Sequence, residues 1–101
     1  MDRGRLEDKT DKRRTSEEEY IAVALFASDM RRKLRKNSHK KSWKDTDVSV
    51  CYLFDRLEEE VEELHKALVK GLPATEIIDE CADVGNMAMM ISDKVRNVPD
   101  R

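Results

Sequence analysis

Glycine, proline and aromatic residues are scarce in this chain, with three glycines, two prolines, one tryptophan, two tyrosines and two phenylalanines among 101 residues. No segment alternates apolar and polar residues as a strand does, so the sequence predicts a single all-α domain. No apolar run approaches the ~20 residues of a membrane-spanning helix, and the N-terminus lacks the apolar segment of a secretory signal. We therefore expect a cytoplasmic protein that does not associate with membranes.

Several chemical motifs are absent as well. The two cysteines, Cys51 and Cys81, are not spaced as metal ligands. Cys81 lies on an apolar stripe, as expected of a buried thiol in a reducing compartment, although two cysteines also allow a disulfide. No glycine-rich phosphate loop occurs, and no nucleophile is accompanied by a base and an orienting group.

Charged residues make up 42% of the chain and divide it into two parts. Residues 1–15 hold ten charged side chains and almost no apolar ones, so we expect a disordered leader. Residues 16–98 form the predicted helical domain.

Three helices are predicted in this domain. Ser16 opens the first helix through a capping box with Glu19. Gly71 ends the second helix, so the chain turns back there as an antiparallel hairpin. The predicted ranges are 16–36, 48–70 and 74–97, with Asp45, Thr46 and Asp47 as candidate caps of the second helix and Pro99 beyond the third.

Four acidic residues are placed symmetrically about the turn at Gly71. Because both helices of an antiparallel pair advance by ~1.5 Å per residue, Glu60 is level with Asp83, and Glu63 is level with Glu80. Each acid precedes by one position a residue of the apolar stripe through which its helix packs on the other. The four carboxylates are therefore predicted on one side of the hairpin, where they can surround one or two hard divalent cations, Mg²⁺ or Mn²⁺.

The alternative for the four acids is a solvated helix face. However, no basic residue lies within 58–63 or 76–93 to relieve the repulsion between them.

Two apolar stripes define how the hairpin is expected to pack. They are Val50, Phe54, Leu57, Val61, Leu64 and Leu68 on the second helix, and Ile77, Cys81, Val84, Ala88, Ile91 and Val95 on the third. The third helix is apolar well beyond its stripe, which predicts a homo-oligomeric, four-helix-type bundle, either a dimer or a tetramer.

A basic segment precedes the acidic helices. Residues 31–44 include eight lysines and arginines and no acid. Such a segment can hold an anionic substrate through direct contacts while a cation bridges it to the acids. A solvated loop or a nucleic-acid surface is the alternative for this segment alone.

The acidic motifs resemble those of a known family. Glu59–Leu64 resembles the Glu-Glu-x-x-Glu-Leu motif of the MazG-like, all-α nucleoside triphosphate pyrophosphohydrolases, and Glu80–Asp83 resembles their Glu-x-x-Asp motif. The segment Asn37–Lys44 is similar to the basic, tryptophan-bearing segment that precedes the first motif in many small members. The resemblance spans about residues 17–97.

This resemblance implies a Mg²⁺-dependent enzyme that hydrolyses ribo- or deoxyribonucleoside triphosphates to monophosphate and pyrophosphate, in a role such as clearing unwanted nucleotides. A carboxylate that the metal does not fully use, Glu59 or Glu63, is expected to take the proton of the attacking water. The competing hypothesis is a non-enzymatic helical adaptor or regulator that binds a protein or a nucleic acid; we do not expect nucleic acid as a partner. The implied metal ligands are Glu60, Glu63, Glu80 and Asp83, with Glu59 supporting them. Lys40, Lys41 and Lys44 are candidates to hold the phosphates, and Trp43 is a candidate to stack on the base. Asn86 lies three residues after Asp83 and so continues the acidic face, where it is expected either to contact a phosphate or sugar or to be an ordinary asparagine of the helix surface.

Overall fold

A computed structural model describes residues 13–97 of the chain, and in this part it contains helices and no strand. The three α-helices are α1 (Ser16–Lys36), α2 (Val50–Lys70) and α3 (Ala74–Arg96). The predicted all-α class is thereby confirmed. All but the last three residues of the predicted leader lie outside the described range. None of the described helices combines the length and apolar character needed to cross a membrane.

The start of α1 differs by one residue from the prediction. Thr15 is the N-cap: its hydroxyl accepts the backbone N–H of Glu18, and the Glu18 carboxylate accepts the backbone N–H of Thr15, each at 3.0 Å. The capping box is therefore Thr15 with Glu18, and the predicted pair of Ser16 with Glu19 is wrong. Both pairs have the required spacing, and threonine, like serine, is among the preferred N-cap residues, so spacing alone does not distinguish them.

The start of α2 lies two residues later than predicted. Ser49 caps this helix by accepting the backbone N–H of Tyr52 at 3.0 Å. The predicted caps at residues 45–47 are wrong because these residues take part in the preceding turns: the N–H of Val48 donates to the carbonyl of Asp45, and Asp47 pairs with Lys41.

The hairpin forms at the predicted turn. Gly71 adopts a left-handed conformation with φ of 65°, which glycine tolerates because it has no Cβ. The N–H of Leu72 donates to the carbonyl of Ala67 at 3.1 Å, which ends α2, and α3 begins directly after Pro73. α2 and α3 then pack against each other along the hairpin.

The buried face of α2 is offset by one residue from the predicted apolar stripe. Leu53 and Ala67 are buried, whereas the next residue in each case, Phe54 and Leu68, is 50% and 55% exposed. Val61 is likewise half exposed, and Glu60 beside it is only partly exposed. The rotation brings Glu60 closer to the hairpin seam and leaves part of the apolar stripe uncovered.

α1 covers a second side of α3. Gly85 permits this close approach, because a Cβ built there would lie 2.6 Å from the Phe26 ring. Ala82, which is fully buried, is another small residue in the middle of α3. α3 therefore lies between α1 and α2, and its extra apolar surface is covered partly within one chain.

Candidate functional site

Three of the four predicted metal ligands lie together. Glu60 of α2 and Glu80 and Asp83 of α3 each offer a carboxylate oxygen, and these oxygens lie within 4.8 Å of one another. Glu80 and Asp83 share a face because they are three residues apart on one helix. The hairpin turn brings Glu60 level with them, as the symmetry about Gly71 predicts.

The electrostatics of this carboxylate cluster favour an added positive charge. Burial raises the pKa of Glu60, and the negative charge of Asp83 raises it further, while Arg56 opposes the shift. Burial also raises the pKa of Glu80, and the charges of Asp83 and Glu60 add to the effect. The ionised forms are thus destabilised by partial desolvation and mutual repulsion, and a cation among them would relieve both.

Two basic side chains to which the sequence pattern gave no role adjoin the carboxylate cluster. Lys33 of α1 is only 14% exposed, and its ammonium lies 3.5 Å from a carboxylate oxygen of Asp83. Arg56 of α2 pairs with Glu59 and lies 3.2 Å from an oxygen of Glu60. The expectation that no basic residue relieves the acids is therefore wrong. Arg56 was detectable from its spacing of three and four residues to these glutamates, whereas Lys33 reaches the cluster only through the tertiary packing of α1.

Glu63 and Glu59 lie outside the group of three. Glu63 is 56% exposed, and the nearest ammonium, that of Lys66, is 3.9 Å from its carboxylate. Its charge nevertheless raises the pKa of Glu60 and Glu80, so it is within electrostatic reach of both. Glu59 is held by Arg56.

The donor set fits a hard divalent cation. Three carboxylate oxygens on two helices match the oxygen ligands that Mg²⁺ and Mn²⁺ take in proteins. Partial burial would limit competition from water. The raised pKa values of Glu60 and Glu80 show that Arg56 and Lys33 offset the repulsion only in part, and such an ion would neutralise the remaining negative charge.

The raised pKa values predict how the stability of the metal-free protein depends on pH. Glu60 and Glu80 bind protons more readily in the folded state than at their ordinary pKa of 4.5, so their effect on stability is most favourable below that value and is lost as the pH rises through the folded pKa. In a chelator, the melting temperature should therefore decrease as the pH is raised from about 4.5 towards neutrality. Glu80→Gln should flatten this slope, and a midpoint that rises over the same interval would contradict the prediction.

A cleft of about 600 Å³ adjoins the cluster. Its apolar lining comes from all three helices and includes Leu34, Leu53 and Met87. Trp43 and Tyr52 add aromatic rings, and the cationic side chains are Lys40, Lys41 and Arg56. Arg56 belongs to both sites, because it lines the cleft and also contacts Glu60.

Not all of the residues predicted to bind the substrate line the cleft. Lys40, Lys41 and Trp43 line the cleft, and Lys41 also pairs with Asp47. Lys44 does not line this cleft, and its ammonium lies 3.2 Å from a carboxylate oxygen of Asp93.

Asn86 is buried within the fold. It is 4% exposed, and its amide donates to the backbone carbonyl of Met30 at 3.0 Å. Asn86 therefore joins α3 to α1, and the expectation that it continues an open acidic face is wrong. A direct contact of Asn86 with the substrate stays a prediction.

The chain matches a known protein family. A family model described as phosphoribosyl-ATP pyrophosphohydrolase matches residues 23–94, which include the carboxylate cluster and all the residues that line the cleft. This family falls within the MazG-like, all-α nucleoside triphosphate pyrophosphohydrolases, so the resemblance seen in the sequence is confirmed. No curated protein and no solved structure matches the chain.

Proposed function

The chain belongs to the phosphoribosyl-ATP pyrophosphohydrolase family, and from that premise we propose that it hydrolyses a nucleoside triphosphate to the monophosphate and pyrophosphate. The family acts on phosphoric anhydride bonds. Phosphoribosyl-ATP is itself a nucleoside triphosphate with a substituted base, so both substrates present the same anhydride between the α- and β-phosphates. The reacting bond is therefore the same in both classes of substrate. The protein residues around the base determine which of the two classes is bound.

The observation that carries this proposal is the position of the carboxylate cluster beside the cleft. An apolar lining with Trp43 and Tyr52 suits a nucleoside, because bases stack on aromatic rings. The guanidinium of Arg56 lies between this lining and Glu60, where the phosphates of a bound nucleotide would cross from one site to the other. Lys40 and Lys41 add positive charge to the same cleft.

We assign the metal to Glu60, Glu80 and Asp83, with Mg²⁺ as the cofactor and Mn²⁺ as a substitute. A bound divalent ion neutralises phosphate oxygens and lowers the pKa of a coordinated water. Glu63 is the carboxylate best able to accept a proton from the attacking water, because it is exposed beside the cluster while Glu59 is engaged by Arg56.

A substrate panel tests this proposal. Pyrophosphate release should be measured with Mg²⁺ for ribo- and deoxyribonucleoside triphosphates of each base and for phosphoribosyl-ATP. We expect at least one of them to yield pyrophosphate, and the ranking identifies the substrate. No release from any member, in a protein that is fully helical by circular dichroism, would refute the proposed activity.

We also propose that the protein forms a homo-oligomer. Apolar residues of α1 and α2 are widely exposed in a single chain, including Tyr20 and Val23 on α1 and Phe54, Val61 and Leu68 on α2. Exposed apolar side chains in this number often mark a protein–protein contact, and a second copy of the chain would cover them. Light scattering at micromolar concentration should give at least twice the chain mass of 11.8 kDa, and a single-chain mass would refute the proposal.

A further inference from the structure

Trp43 is the only tryptophan of the chain, and two adjacent residues of α3 hold it. Its indole N–H donates to the carboxylate of Asp93 at 3.0 Å. Its backbone carbonyl accepts the ammonium of Lys94 at 2.8 Å, and the same ammonium donates to the carbonyl of Asp45 at 2.9 Å. The side chain and the main chain of Trp43 are therefore both tied to the last turn of α3.

The carboxylate of Asp93 is itself held by several donors. Besides the indole, it receives the ammonium of Lys44 at 3.2 Å and the side-chain amide of Asn97 at 3.1 Å. The hydrogen bond from Trp43 and the contacts with Lys44 keep the pKa of Asp93 below its ordinary range. These contacts therefore hold the Asp93 carboxylate in place as the hydrogen-bond acceptor of the indole.

The segment that carries Trp43 has little regular structure of its own. Residues 37–49 connect α1 to α2 through turns, with local hydrogen bonds such as that from the N–H of Lys40 to the carbonyl of Asn37. Turns of this kind leave the orientation of a large side chain open unless tertiary contacts fix it. Asp93 and Lys94 supply those contacts.

From these contacts we propose that Asp93 and Lys94 are positioning residues for nucleotide binding, because they fix Trp43 in the wall of the cleft before the base arrives. The inference rests on the proposed function, since it assigns the base to this cleft. α3 also carries Glu80 and Asp83, so one rigid helix sets both the carboxylate cluster and the tryptophan. A ring that is already immobile does not lose its conformational freedom on binding, which strengthens the binding of the base.

The experiment uses Trp43 as its own probe, because all the tryptophan fluorescence of the protein comes from it. Asp93→Leu removes the acceptor of the indole N–H, whereas Asp93→Asn keeps an acceptor oxygen at the same place. Ser92→Leu is the matched control, because it adds the same side chain at an exposed position next to Asp93. Circular dichroism and thermal melting establish that each variant is folded.

We expect Asp93→Leu to shift the Trp43 emission to longer wavelength and to increase its quenching by acrylamide. KM for the preferred nucleotide should rise by about three- to tenfold with kcat within about twofold, since one immobilised side chain is lost from the preorganised cleft. Asp93→Asn should restore most of both properties, and Ser92→Leu should leave the emission unchanged. Unchanged emission in Asp93→Leu, or changed emission with an unchanged KM, would overturn the proposal.

This result is distinguishable from a failure of the proposed function. If the native protein hydrolyses no nucleotide, the binding of ATP, measured by titration of the Trp43 fluorescence, replaces KM as the readout. A dissociation constant that is raised in Asp93→Leu and restored in Asp93→Asn supports the positioning role without any hydrolysis. Equal ATP binding by the native protein and Asp93→Leu, or no ATP binding at all, counts against it.

Discussion

Replacing Glu80 with glutamine should lower kcat by more than about a hundredfold while the protein stays folded, since even residues that only support metal ligands contribute about 10–100-fold. The amide keeps the size of the side chain and removes the charge that the ion needs. Glu80 is crowded by the charges of Asp83 and Glu60, so this loss of charge should also leave the metal-free protein at least as stable as before. Steady-state kinetics and thermal melting of the same preparation measure both effects.

Glu76→Gln provides the matched control for this experiment. Glu76 lies one turn before Glu80 on the same helix and is exposed. The substitution changes the net charge by the same amount, yet it should alter kcat by less than about twofold, because Glu76 is not among the three clustered carboxylates. A similar loss in both variants would indicate a general effect of charge, and an active Glu80→Gln protein would remove Glu80 from the metal site.

Addition of Mg²⁺ or Mn²⁺ should raise the melting midpoint strongly. An ion that binds only the folded state stabilises it by about 2.7 kcal/mol at a hundredfold excess over its dissociation constant. For a domain of this size, each kcal/mol shifts the midpoint by about 4–8 °C, so we expect a rise of about 10–20 °C. The effect should be largest near neutral pH, where the carboxylates are ionised.

The Glu80→Gln protein should lose most of this shift, which separates binding at the cluster from general effects of salt. A non-enzymatic adaptor has no need of the ion and should respond weakly. A midpoint of the native protein that does not move with saturating Mn²⁺ would contradict the metal site, and equal shifts in both proteins would place the ion elsewhere.

Local signals in the sequence predicted the hairpin and the proximity of the three residues that form the carboxylate cluster. Glycine adopts the left-handed turn conformation at the lowest cost of any residue type. The turn at Gly71 fixes which residues of α2 and α3 are level. Once the level is fixed, helical geometry alone brings Glu60 to Asp83 and Glu80.

The sequence did not predict the rotation of α2 or the position of α1. The stripe containing Phe54 and Val61 has the spacing of a packing face, but α3 contacts a line that is rotated from it. A pattern on one helix cannot distinguish a face that packs within the chain from one that a second copy could cover. The contact of Lys33 with Asp83 was likewise unpredictable, because α1 and α3 are far apart in sequence and no repeat relates them.

The roles of Trp43 and its neighbours show the same limit. Composition indicated that the segment before α2 could hold an anion, and Lys40, Lys41 and Trp43 do line one cleft. That Lys44 contacts Asp93 instead depends on where α3 ends relative to that segment. This distance is set by the packing of whole helices, and no local pattern encodes it.

The most direct test of the account follows the products of hydrolysis in isotopically labelled water by phosphorus NMR. With Mg²⁺ and the preferred nucleotide, the native protein should release monophosphate and pyrophosphate in equal amounts, and it should release neither in a chelator or after Glu80→Gln. Release of orthophosphate would mean that another bond is cleaved. Equal turnover with and without the metal would contradict the claim that Glu60, Glu80 and Asp83 hold the ion at which the anhydride is hydrolysed.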